Sequence, residues 1–123
     1  MTANLSGHTT PLDLATMREN VTLLLDPDGT PVPQPPSGAE LDTLTERLRG
    51  HLELLIPEVE RAVGRLEKQS VTRYCMLACL GDARLRLRAE PTPRYNGPIG
   101  HARRLARAVT ALCEHYEQAT SPQ

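Results

Sequence analysis

Phenylalanine and tryptophan are absent from this 123-residue chain, and tyrosine occurs only three times. Strands favour aromatic and β-branched residues, so a sheet-based core is poorly served. Leu, Val, Ile, Ala and Met must build the interior, which suits helix-on-helix packing. Cysteine is scarce as well. Cys75, Cys79 and Cys113 are odd in number and lack paired spacing, which argues against a disulfide framework. No apolar run approaches the roughly 18–20 residues needed to span a bilayer. The N-terminus has no basic region followed by an apolar stretch, so no secretory signal is expected. These absences predict a reduced, cytoplasmic protein with no membrane partner. A Gly-rich phosphate loop, an HExxH pair and a nucleophile–base pairing are missing too. The expectation therefore leans away from an enzyme, with no catalytic residues, no metal and no cofactor.

An excess of charge of either sign is also lacking. The formal net charge is −1, so bulk charge predicts neither nucleic-acid nor membrane binding. Charge is nevertheless uneven along the chain. Residues 1–69 carry 6 basic and 11 acidic side chains, and residues 70–123 carry 8 basic and 4 acidic. Acidic elements packing against basic ones within one domain would account for the split, because flanking charges commonly set helix pairing.

What is present is a long helical period. From Leu41 to Leu66, residues Leu41, Leu44, Leu48, Leu52, Leu55, Ile56, Val59, Ala62, Val63 and Leu66 fall in a stripe roughly 120° wide, the width of a helix laid on other helices. Ser37 with Glu40 three residues later reads as a capping box. Pro57 interrupts the backbone donors, yet the stripe keeps its register on both sides. One continuous, kinked helix is expected. Glu46, Glu53, Glu60 and Glu67 run along one edge, and Arg47, Arg61 and Arg65 along the other. Seam-flanking charges ordinarily pair with neighbouring helices; a docking surface is the sharper reading. Leu54 falls outside the stripe, and a single exposed leucine means little alone.

The remaining chain supplies three more helical segments. Residues 1–9 are polar and expected to be disordered. Thr10 as cap, Pro11 at the first helical position and Asp13 near the positive dipole end open a first helix. Leu14, Met17, Val21, Leu24 and Leu25 carry it to Asp26-Pro27. Residues 26–39 hold five prolines, which predict a stiff linker. Its Asp26-Pro27-Asp28-Gly29-Thr30 lacks the further ligands of a calcium loop and reads as a turn. A third helix starts near Ser70. Its Tyr74–Leu80 run, YCMLACL, is apolar on every side, so this helix is expected to be innermost. Arg84-Leu85-Arg86-Leu87-Arg88 alternates with period two, but a lone strand would have no partner, and the segment is assigned to the helix. After the turn-rich residues 89–97, a fourth helix runs to about Gln118. Ala102, Leu105, Ala106, Val109, Leu112, Cys113 and Tyr116 share its apolar face. Arg103 and Arg107 beside that face are expected to pair with the glutamate edge of the second helix. Residues 119–123 read as a frayed tail. The length fits one domain, here residues 10–118: an all-α four-helix bundle with a proline-kinked second helix and a proline-rich first connection.

Candidate sites are few. Cys75 and Cys79 share a helix face, but zinc would want more ligands, and free cysteine packs as a small hydrophobe. All three thiols are expected in the core. Antiparallel hairpins would bring His51, Arg88, Arg94, Tyr95 and His101 to one end of the bundle, a polar, partly cationic rim for an anionic ligand or partner. Ordinary surface histidines at helix ends are the plainer reading. Leu54, Arg103, Arg104 and Arg107 form a second candidate surface. Arg84, Arg86, Arg88, Arg94, Arg103, Arg104 and Arg107 are the only available nucleic-acid footprint. A helix-turn-helix drawn through the third and fourth helices would need a tighter turn than residues 89–97 provide, and the near-neutral charge weighs against DNA.

Two runs, Leu48-Arg49-Gly50-His51-Leu52-Glu53-Leu54-Leu55-Ile56-Pro57-Glu58-Val59-Glu60 and His101–Arg107 continuing through Ala111-Leu112-Cys113-Glu114-His115-Tyr116-Glu117, resemble a family of small actinobacterial helical proteins of unknown function labelled as natural-product biosynthesis proteins. The resemblance covers roughly residues 10–118. It implies association with biosynthetic clusters and carries over no site residue and no reaction. The expected function is a non-enzymatic interaction or accessory protein with a protein partner, in a monomer or a homodimer. A small-molecule or metal-binding bundle and a DNA-associated regulator are the alternatives.

Overall fold

The computed structural model describes residues 12–120. It is an all-α arrangement of four helices: α1 (Leu14–Thr22), α2 (Gly38–Gly64), α3 (Val71–Arg88) and α4 (Gly97–Thr120), with a short 3₁₀ turn at Pro93–Tyr95. The expected caps at Thr10 and Pro11 lie outside the described residues. The helix begins later, where the Asp13 carboxylate accepts the Thr16 amide at 3.0 Å and the Thr16 hydroxyl at 2.7 Å. These bonds hold the Asp13 carboxyl below its usual range, as charge-assisted capping does.

α1 is shorter than its apolar spacing suggests. It stops at Thr22, and Leu24 and Leu25 are buried from the turn that follows. The stiff linker also folds back on itself. Leu25 and Pro31 form an isolated antiparallel bridge, the Asp26 amide donates to the Thr30 carbonyl at 2.7 Å, and the Val32 amide donates to the Leu24 carbonyl at 3.0 Å. Gly29 sits at φ 88°, the left-handed conformation that a tight turn asks of glycine. The Asp28 carboxylate is occupied by the Thr30 hydroxyl and amide, an Asx-type turn, which leaves the calcium reading without support.

α2 runs unbroken through Pro57, which is exposed. A proline on the solvent side costs one ladder bond and leaves the buried stripe in register. Of the ten stripe residues, eight are buried and Ile56 and Leu66 are partly buried against the same core. The capping box does not form: the Ser37 side chain makes no cap bond, and Gly38 enters the helix at φ 57°. That left-handed entry turns the preceding residue away from the amides it would cap. At α3, by contrast, the Ser70 hydroxyl accepts the Arg73 amide at 3.1 Å as a working cap.

The core is the seam between α2 and α4, the most extensive interhelical contact. Leu48, Leu52, Leu55, Val59, Leu105, Val109, Leu112 and Cys113 are fully buried there, each large aliphatic contributing about 1.5–3 kcal/mol by burial. α1 and α3 both pack on α2 and α4 and make no contact with each other. They cover different parts of the central pair.

That arrangement corrects the expectation for α3. Only Met76, Leu80 and Ala83 are buried, while Val71, Tyr74, Cys75, Leu77 and Leu85 are exposed. α3 is peripheral. An apolar circumference requires cover on all sides, and the chain supplies it on one. Cys75 accordingly leaves the expected core set, Cys79 is half-buried and Cys113 alone is fully enclosed.

Ion pairing departs from the expectation as well. Arg103 and Arg107 form no ion pair with the glutamates of α2. The interhelical pairs are Arg84–Glu60, between α3 and α2, and Arg18–Glu117 at 2.7 Å, between α1 and α4. Arg61–Glu58 and Arg86–Asp82 close within their own helices. All are solvent-accessible pairs of about 0.2–1 kcal/mol.

Candidate functional site

The rim proposed for one end of the bundle is divided by the fold. His51, on α2, lies against α1, where its Nε2 meets the Asn20 Oδ1 at 2.6 Å. With Nε2 protonated the ring donates to the amide oxygen. Burial, then the nearby Arg47, pushes the His51 pKa down, opposed by Asp13. His101, in the first half of α4, retains 3% exposure. Its pKa is also lowered, first by burial and then by Arg49 and Arg104, against Glu90 and Glu46. It borders an open cleft shared with Asp42, Thr45, Arg49 and Glu90. Neither histidine lines the cleft that holds Arg94 and Tyr95, and Arg88 at the end of α3 is exposed and lines neither cleft. Leu54 is exposed on α2.

The structure does join parts of the two candidate surfaces. Arg94, Tyr95 and Asn96 from the 3₁₀ turn face Arg103, Arg104 and Arg107 of α4 across a cleft of roughly 390 Å³. Asn96 at φ 70° and Gly97 at φ 58° reverse the chain there. The turn then lies so close to α4 that a methyl group at Gly100 would run into the Tyr95 carbonyl oxygen. Arg104 donates to that same carbonyl at 3.2 Å, with its guanidinium carbon 5.6 Å from the Tyr95 ring centre, a cation–π distance. Arg107 donates to the Gly29 carbonyl at 3.2 Å. The Arg103 Nε is buried with no hydrogen-bond partner. No carboxylate lines this cleft.

Cys79 and Cys113 offer little thiolate chemistry. Burial pushes the Cys113 thiol up to about 11, and burial with neighbouring acid raises Cys79. The thiolate is the reactive and metal-binding form. Among the described residues no group of three or more His, Cys, Asp or Glu side chains is arranged to hold a metal ion.

Sequence reasoning missed the outer face of α3. Val71, Tyr74, Ala78, Gly81 and Leu85 recur at alternating spacings of three and four, opposite the buried Met76, Leu80 and Ala83 and the partly buried Leu87. Val71, Tyr74 and Leu85 keep between 62% and 77% exposure. The signal was available: two interleaved seams on one helix, each with the a/d spacing of a helix interface.

A family model, described as a family of unknown function (DUF6415), matches residues 15–121, and the chain belongs to that family. No curated protein and no solved structure matches the chain.

Proposed function

We propose that this member of the DUF6415 family is a non-enzymatic helical interaction module, that its working surface is the outer face of α3, and that a second copy of the chain occupies that face. The carrying observation is the seam of exposed Val71, Tyr74, Ala78 and Leu85, with the half-buried Gly81 between them. Large apolar residues in a contiguous exposed stripe mark a contact surface.

The seam fits itself. Two α3 helices crossing antiparallel about a two-fold axis set Ala78 of one copy against Gly81 of the other, Tyr74 against Leu85, and Val71 against the aliphatic stem of Arg88. Small residues meet at the centre, where backbones must approach, and large residues flank them. Glycine inside a helix costs about 0.5–1 kcal/mol relative to alanine. A Cβ at Gly81 would meet nothing within 4 Å among the described residues, so no contact among them requires glycine there. The seam itself is uncharged up to its terminal Arg88, and the adjacent charges are already paired, Arg84 with Glu60 and Arg86 with Asp82. Self-pairing therefore brings no unpaired like charges together at its centre. A helix face about 27 Å long, doubled, removes on the order of 1,000 Å² from water, near the lower limit of specific interfaces. The dimer is accordingly concentration-dependent. An accessory role for it in natural-product biosynthesis or its regulation rests on the resemblance of the two runs around Ile56 and Leu105.

Light scattering on the purified chain across a concentration series, with Tyr74→Glu and Gly81→Leu, tests the reading. We expect a dimer that both variants convert to a monomer. Gly81→Leu should at the same time raise helix stability by about 0.5–1 kcal/mol through propensity. A wild-type monomer at every concentration, or a dimer indifferent to both substitutions, removes self-pairing through α3. Turnover of a substrate that is lost on changing His51 or His101 would remove the non-enzymatic reading.

A further inference from the structure

The cleft between the Pro93–Tyr95 turn and α4 holds positive charge that no carboxylate among the described residues lining it neutralises. Outside it, Arg18, Arg61, Arg84 and Arg86 each meet a carboxylate, while Arg47, Arg49, Arg65, Arg73 and Arg88 are spread over α2, its C-terminal cap and α3. In the cleft four guanidinium groups, of Arg94, Arg103, Arg104 and Arg107, come together without one. Two are held by backbone carbonyls, Arg104 by Tyr95 and Arg107 by Gly29. A carbonyl fixes a guanidinium without cancelling its charge. Arg103 adds a buried Nε with no partner, an unmet donor that ordinarily finds one. The first turn of α4 borders the same cleft and brings the positive end of a 24-residue helix to it. Since the whole chain has a net charge of −1, this concentration of positive charge is local and does not follow from a basic protein.

From this arrangement we infer an anion-binding site whose ligand carries a phosphate or pyrophosphate group on a small molecule. Guanidinium forks match phosphate oxygens bidentately, and they do so best when pre-positioned. Gly100 is the structural condition for the site. Its missing side chain lets the turn seat Arg94 and Tyr95 against α4. The cleft's size, roughly 390 Å³, suits a small ligand. A duplex would need a longer basic track than the four arginines of one cleft. The site is independent of self-pairing through α3, and none of its residues belongs to that seam.

Calorimetric titration of the full chain with sodium pyrophosphate at low ionic strength is the test, with malonate and a short DNA duplex as comparison arms. One saturable site per chain is expected, with a dissociation constant below about 1 mM. Arg103→Gln/Arg104→Gln should weaken it about tenfold or more, and so should Arg94→Gln/Arg107→Gln, whose side chains are exposed, with circular dichroism of each variant checking that the fold is kept. Arg61→Gln, outside the cleft, should leave binding unchanged. Absence of saturable binding, or equal losses in Arg61→Gln, overturns the site. Malonate binding as tight as pyrophosphate overturns the phosphate assignment. Duplex binding that is tighter than pyrophosphate and falls with the same substitutions assigns the surface to nucleic acid instead.

Discussion

His51 and His101 each lie on α2 or α4 against a neighbouring element, and both have pKa values pushed below the ordinary 6.5, chiefly by burial. Around and below pH 6.5 the unfolded chain therefore takes up protons that the folded chain refuses. Stability falls as pH drops from about 7.5 toward 5.5. The capped and paired carboxylates act lower: Asp13, Asp28 and Glu117 have lowered pKa values, so their contribution is kept at these pH values and lost only under stronger acid. Thermal melts of the wild type and His51→Gln/His101→Gln across that window should show a falling melting temperature in the wild type and a flatter profile in the variant. An unchanged slope in the variant would assign the effect to other groups. Residue identity alone could nominate both histidines. It could not separate them, because their distance depends on which helices α2 and α4 present to one another.

At the level of the elements, α2 and α4 behave as their periodicity predicts and α3 does not. Each of the first two has one broad apolar stripe, and the two stripes meet. α3 has two narrow seams, of which the chain covers one. Local chemistry decides where elements begin. Ser37 and Ser70 both have an extended backbone, and only Ser70 caps, because Gly38 enters α2 left-handed after Ser37. Gly100 is the residue on which the junction before α4 depends. Its replacement by alanine drives a methyl group into the Tyr95 carbonyl, and overpacking of this kind costs about 1–3 kcal/mol. Gly100→Ala should lower the midpoint of chemical unfolding accordingly and displace the Arg94–Tyr95 turn, which amide NMR shifts of residues 93–97 would report. A variant of wild-type stability would contradict the close approach.

For the whole molecule, one core is shared by every helix. Met17 and Val21 of α1, the stripes of α2 and α4, and Met76, Leu80 and Ala83 of α3 form one continuous cluster. Removing side-chain volume at its centre should therefore destabilise all four helices together. Leu112→Ala is expected to cost about 2–5 kcal/mol within a single transition. Loss of far-UV circular dichroism and labelling of the buried Cys113 should then coincide. Separate steps, with Cys113 labelled after much of the helix signal has gone, would mean that α1 or α3 unfolds on its own.

The sequence by itself determined the class of fold and most of its helices. Without Phe or Trp, and with unbroken leucine periodicity from Leu41 to Val63, no other class was open, and periodicity is a local property that needs no knowledge of neighbours. It also determined that α2 continues through Pro57, since register is conserved across it. Tertiary structure decided what covers what. Tyr74, Leu77 and Leu85 look like core residues along the chain, and they are outside because α3 contacts α2 and α4 over one face only. The arginine cleft was decided there too. Arg94 and Arg107 are distant in sequence and meet only because Asn96, Gly97 and Gly100 fold the turn back onto α4. Side-chain charge is written in the sequence, but whether an acid lies within reach of it is set by packing.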